Sequence, residues 1–154
     1  SVDESIAFFI ENPKIGVAIA KAVQPLADVG LGQRVEVSGG SFLHDALPRG
    51  ADIISLVRIA HDHDDESVRV LLRSIHAALP AGGRIMIAEP MAGARGAEPV
   101  GDAYFGFYLL AMGRGRARTP AELKELLFSA GFSGFREIPT RRPLLTSLVV
   151  ADRA

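Results

Sequence analysis

The chain has no cysteine, which removes a disulfide framework, a thiolate nucleophile, a zinc ribbon and an iron–sulfur site together. Neither sign of charge dominates: 17 basic residues stand against 18 acidic ones, a net charge of −1. Such a balance gives no electrostatic reason for a nucleic-acid or anionic-membrane partner. No apolar run reaches the roughly 18 residues that a membrane span needs, and no basic segment with an apolar core opens the sequence. The expectation is a cytoplasmic protein with no membrane span and no nucleic-acid partner. What the chain does have is apolar mass. Hydrophobic residues make up 48% and charged residues 23% of 154 positions, with a mean hydropathy of +0.22. That excludes whole-chain disorder and suffices for one domain with a full core, though not for two ordinary ones.

Apolar periodicity divides the chain. Ile6, Phe9 and Ile10, then Ile15, Ile19, Ala22, Val23 and Leu26, recur at helical spacing around a break at Asn12-Pro13, which predicts two amphipathic helices within 1–27. A short strand is predicted over 34–37, before Gly39-Gly40. A second, over 53–57, is continuously apolar, as a parallel strand buried on both faces would be. Val68, Leu71, Leu72, Ile75, Ala78 and Leu79 form one helical stripe, with Asp64 or Asp65 as its cap and Pro80 to Gly83 as its stop. A buried strand returns over 84–88 and ends at Glu89-Pro90. Thr119-Pro120-Ala121-Glu122 is a capping box that opens a helix with Leu123, Leu126, Leu127 and Ala130 inward and Gly131 as stop. Two last strands are predicted over 135–138 and 145–150. Alternating strands and helices predict an α/β layered fold.

Ligands in open α/β sheets bind beyond the carboxyl ends of the strands. His61 lies just past the strand at 53–57, and Glu89 ends the strand at 84–88. If those strands are neighbours, the carboxylate can hold one imidazole nitrogen and leave the other free as a base. The same two residues also read as a solvated helix cap and a strand-end carboxylate. The run His61-Asp62-His63-Asp64-Asp65 resembles the H-x-H-x-D metal motif of metallo-β-lactamase-type hydrolases, but Glu66 stands where a further histidine is needed and only His76 follows. No metal is expected. Gly30-Leu31-Gly32 has neither a preceding strand nor a following helix and reads as a turn. The segment 101–112 carries both tyrosines and two of the eight phenylalanines, an aromatic stripe that suits either an apolar ligand or ordinary core packing.

Three pieces of sequence carry a family resemblance: Ser55 to Asp65, Leu79 to Pro90, and Thr119 to Leu123 with Ala130-Gly131-Phe132. In order and spacing they resemble the later half of the catalytic domain of S-adenosylmethionine-dependent small-molecule O-methyltransferases. Within that family the chain is most similar to the carotenoid hydroxyneurosporene (demethylspheroidene) O-methyltransferases, through His63 in place of the usual tryptophan and through Gly101 to Tyr108. The resemblance implies a class I methyltransferase-like, Rossmann-like α/β sheet, with S-adenosylmethionine as cofactor. It gives His61 the role of general base, oriented by Glu89. Arg58 falls at a basic position near the cofactor, and Gly40-Ser41-Phe42 falls on a G-D-[FM] turn beside the adenine, with serine in place of aspartate. Gly30 falls at the start of the cofactor loop. Asp62, Tyr104, Phe107, Tyr108 and Met112 fall on the side of an apolar hydroxylated acceptor such as a carotenoid. A homodimer is implied as well.

The departures lie mainly upstream. A second family carboxylate, in a G-[RK]-E-R-T-like run, falls at Ala117. The glycine-rich loop D-V-G-G-G-x-G and the acidic ribose ligand after the next strand are not found. A strand–helix–strand unit of about 30 residues is expected to be missing from the sheet, leaving the strand at 34–37 with an open edge. Residues 1–27 then read as a helical remnant of a dimerisation region and 28–154 as a partial catalytic domain. The rival expectation is a non-catalytic fragment that dimerises or binds a partner.

Overall fold

The computed structural model of the chain describes residues 6–10, 28, 30, 32, 35–93, 115–143 and 145–154. The chain divides into two compact units, Ser1–Arg49 and Gly50–Ala154.

In the first unit, strand β1 (Ile6–Ile10) pairs in parallel with β2 (Val35–Gly39), Ile6 opposite Val35 and Ile10 opposite Gly39. This corrects two expectations. Residues 6–10 are extended rather than helical, because Ile-Ala-Phe-Phe-Ile is a short continuous apolar run whose i, i+3, i+4 spacing fits a buried strand equally well. The strand after residue 34 consequently has a parallel neighbour where an open edge was expected. The rest of the helical expectation, over 1–5 and 11–27, lies outside the described residues.

The second unit is built on a four-stranded sheet in the order β3 (Ile53–Val57), β4 (Arg84–Glu89), β6 (Ser147–Arg153), β5 (Phe132–Ile138). The β3–β4 pair is parallel, and β6 runs antiparallel to both of its neighbours. This is the order that the family resemblance implies. Helix α1 (Asp65–Ala78) starts where Asp64 accepts a bond from the Ser67 amide at 2.8 Å, with Asp65 and Glu66 in the first turn to complement the helix dipole. Its predicted stripe, Val68 to Leu79, is buried throughout. Helix α2 (Pro120–Ser129) carries the full capping box between Thr119 and Glu122. Leu123, Leu126 and Leu127 face inward, while Ala130 is only half-buried. The core is where these stripes meet the sheet: Leu72, Ile75, Ile85, Ile87, Leu123 and Leu127 are fully enclosed, each stabilising the fold by about 1.5–3 kcal/mol through burial.

Three strand expectations change. The last strand begins at Ser147 rather than 145, because Leu145 and Thr146 donate to the Arg142 carbonyl in a turn, and it runs on to Arg153, whose amide bonds Gly83. The strand before it begins at Phe132, three residues earlier than predicted, and absorbs an irregularity between Ser133 and Arg136 at Gly134, where φ is +61°. Finally, β3 is not enclosed on both faces. Successive side chains point to opposite faces, and the face that carries Ile53, Ser55 and Val57 is exposed, Ile53 and Val57 by 60% and 56%, while Leu56 on the other face is buried.

Candidate active site

The parallel pairing of β3 and β4 places Val57 opposite Ala88, so the chain leaves both strands at the same sheet edge. One further bond, Arg58 amide to Ala88 carbonyl at 2.9 Å, extends that ladder. Arg58 has φ of +56°, an uncommon conformation for a side chain larger than glycine. It turns the chain into a 3₁₀ turn, Ala60–Asp62, with His61 at its centre.

Glu89 meets that turn. Its Oε2 accepts the His61 backbone N–H at 3.1 Å and stands 3.4 Å from the imidazole Nδ1. On the other side of the ring, Nε2 is 3.1 Å from Asp62 Oδ1. His61 is 3% exposed and Glu89 is wholly buried, whereas the Asp62 side chain keeps 35% of its surface. Neither ring contact is aligned as a hydrogen bond. His61 Nδ1, Asp62 Oδ1 and Glu89 Oε1 are buried without a hydrogen-bond partner among the described residues. Buried polar atoms are normally satisfied, so three orphans on three adjoining side chains are a departure that asks for an explanation.

The structure thus brings together His61, Glu89 and Asp62 from two strand ends. Arg58 leads into this group, Ser41, Phe42 and Gly30 belong to the first unit, and the remaining predicted residues lie outside the described ones. Ser41 opens a turn after β2, its amide bonded to Asp45 Oδ2 at 2.8 Å and its hydroxyl accepting from the Leu43 amide at 3.3 Å; Phe42 beside it is buried. Gly30 lies exposed in a turn with φ of +80°. Tyr104, Phe107, Tyr108 and Met112 lie outside the described residues. His76, on α1, stacks edge-to-face on Phe132 with centroids 5.1 Å apart. No group of three potential metal ligands occurs among the described residues, nor is any of their helices long and apolar enough to cross a membrane.

Against known proteins, a family model described as an O-methyltransferase domain matches residues 11–133. The chain belongs to this O-methyltransferase domain family. The domain is 47% identical over 137 residues to demethylspheroidene O-methyltransferase of Cereibacter sphaeroides, covering 89% of this chain and 36% of that protein. It is 46% identical over 120 residues to the enzyme of the same name from Rhodobacter capsulatus, covering 78% of this chain and 30% of that one. The chain therefore spans about a third of the length of these relatives. Among solved structures, human N-acetylserotonin methyltransferase in complex with SAM superposes with a TM-score of 0.79 at 25% identity, over 97% of this chain and 41% of that one. Such neighbours establish the partial class I methyltransferase fold.

Sequence reasoning missed what stands behind the O-methyltransferase domain's histidine turn. Arg118 is fully enclosed and donates to the carbonyls of Ala60 and His63 at 2.7 and 2.8 Å and to Asp65 Oδ1 at 2.8 Å. Arg116 binds the other Asp65 oxygen at 3.0 Å and Glu122 at 2.7 Å. The Arg116 hydrogen bond is the main reason the Asp65 carboxyl lies below its ordinary range; Arg118 adds to it and partial burial opposes it. The signal available in the sequence was the pair of arginines just before the capping threonine.

Proposed function

We propose that this domain forms part of an enzyme that transfers a methyl group from S-adenosylmethionine to a hydroxyl of an apolar small molecule, with His61 as the base. The observation that carries the reading is the buried imidazole between Glu89 and Asp62, with unsatisfied polar atoms on all three side chains. When bound, the cofactor supplies an electrophilic methyl group on a sulfonium centre. The chain's own residues do the rest. Glu89, with Oε2 3.4 Å from Nδ1, is the carboxylate placed to favour the tautomer with its proton there and to stabilise the imidazolium. His61 Nε2 takes the proton that leaves the acceptor hydroxyl, and Asp62 Oδ1, beside it, orients that hydroxyl. A base so placed contributes roughly 10²–10⁴-fold.

The residues fit the cofactor in part. Arg58 and Ser41-Phe42 each follow the carboxyl end of a parallel strand in their own sheet, the place where such sheets bind ligands, and the resemblance assigns them to the adenine side with Gly30 before them. Glu11 follows β1 directly in sequence and is our candidate for the acidic ribose ligand. The names of the bacterial relatives favour a carotenoid-like alcohol as acceptor, taken against Tyr104, Phe107, Tyr108 and Met112, in a cytoplasmic homodimer. The test is transfer of isotope-labelled methyl groups to a panel of apolar alcohols by a form with a complete cofactor site. Label on a hydroxyl oxygen supports the reading; cofactor binding without transfer to any alcohol or phenol refutes it.

A further inference from the structure

We propose that residues 115–118 are a positioning strap that fixes the main chain of the His61 turn, with Gly115 and Arg118 as its anchor points. This rests on the reading of His61 as the base, and extends it to residues that touch neither acceptor nor cofactor. Two independent contacts support it. At Gly115, φ is +84°, and a Cβ there would collide with the His61 carbonyl oxygen and stand 2.7 Å from the Asp62 carbonyl carbon. Only a glycine lets the strap lie this close. Three residues on, the enclosed Arg118 guanidinium spans the turn from the Ala60 carbonyl to the His63 carbonyl and so brackets His61 on both sides.

The strap is itself held. Asp65 Oδ1 takes Arg118 and Oδ2 takes Arg116, whose second bond runs to Glu122 in the first turn of α2. The Arg118 carbonyl also accepts the Ala92 amide at 3.0 Å, three residues beyond Glu89. One short segment thus joins the main chain of the base's turn to the stretch that carries its orienting carboxylate. Ala117, between the anchors, has no side chain to reach the imidazole, so the strap acts through main-chain position alone. A planar guanidinium suits this work because its donors have fixed directions; a lysine ammonium at 118 could not serve three acceptors in the same geometry.

The test uses Gly115→Ala, which adds a steric displacement without removing a charge, and Arg118→Lys, which keeps the charge and loses the fork. Nitrogen-15 imidazole spectra of the 154-residue chain should show the His61 signals shifted in both variants, with those of His44 and His76 unchanged. In a form with a complete cofactor site, kcat should fall roughly 10- to 100-fold, as for a misplaced reacting group, with KM for the cofactor within about twofold. Unmoved His61 signals in folded variants, or a raised KM at unchanged kcat, overturn the proposal. Failure of both variants to fold also overturns it, since the segment would then be a folding element. Shifted His61 signals in a protein whose parent form transfers no methyl group uphold the strap and refute the methyltransferase reading.

Discussion

Glu89 reaches His61 twice with the same oxygen: Oε2 accepts the backbone N–H at 3.1 Å and lies 3.4 Å from the ring Nδ1. A carboxylate tied to the His61 main chain in this way cannot swing away from the imidazole without breaking a buried hydrogen bond. On the proposed reading of His61 as the base, its orientation is set before an acceptor arrives, which is what preorganisation requires.

His61→Ala in a form with a complete cofactor site should lower turnover by roughly 10²-fold or more, the scale of a lost general base, with cofactor affinity nearly unchanged. His63→Ala should cost much less, because Arg118 binds the His63 carbonyl, which alanine keeps. Steady-state kinetics on the two variants decide the matter. Equal losses, or recovery of His61→Ala activity with an added divalent metal, would favour a metal site instead.

Glu89→Gln keeps the shape and one acceptor for the His61 N–H but removes the charge beside Nδ1. Turnover should fall by about tenfold or more while the melting temperature holds or rises, since the wild-type carboxylate is buried with Oε1 unsatisfied. Thermal unfolding alongside kinetics checks both halves. A variant that loses stability and retains full activity contradicts this account.

Thr119→Ala removes the oxygen that accepts from the Glu122 amide at 3.2 Å and breaks the capping box of α2. The expected loss is about 1 kcal/mol, or roughly 2–4 °C in melting temperature for a chain of this size. Urea unfolding with an unchanged m-value would confirm a simple stability effect.

Acid should loosen the region behind the histidine turn. Asp65 is held below its ordinary range chiefly by its Arg116 hydrogen bond, and Glu122 chiefly by the Thr119 backbone amide with Arg116 second. A depressed folded-state value means that the stabilisation is complete above the unfolded-chain value near pH 4 and disappears as the pH falls through the folded one. Denaturation curves between about pH 6 and pH 2.5 should therefore show a shallower acid loss for Asp65→Asn than for the parent. Parallel curves would refute the assignment.

The 154-residue chain should bind S-adenosylmethionine weakly, because it has no D-V-G-G-G-x-G loop to hold the methionine end. Calorimetric titration giving a micromolar dissociation constant would contradict this.

Much of the second unit was legible because its signals are local and agree with one another. The α1 stripe, the Thr119 capping box and the strand ending at Glu89 each rest on short-range spacing, and they fixed which side chains face inward. The candidate dyad was legible for the same reason, since two strand ends at one sheet edge converge once the strands are parallel neighbours. Residues 6–10 were misread because a five-residue apolar run satisfies helical and extended periodicities alike, and only its long-range partner, 29 positions on at Val35, decides between them. The role of Arg118 was illegible for a related reason. Its acceptors are main-chain carbonyls 55 and 58 residues away, and a carbonyl leaves no mark on the sequence.

The position of β4 bears on how the site comes apart. This strand is hydrogen-bonded along both edges, and Ile85 and Ile87 are completely enclosed. Amides in such a strand exchange with solvent only when the whole unit opens, whereas a single turn held by a few contacts opens far more often. The His61 amide lies in a turn, yet it is bonded to Glu89 Oε2 and its turn is held by the Arg118 guanidinium. In hydrogen-exchange terms it should therefore be slowed toward the lifetime of β4, to which Glu89 belongs, rather than exchange at the rate of a free turn.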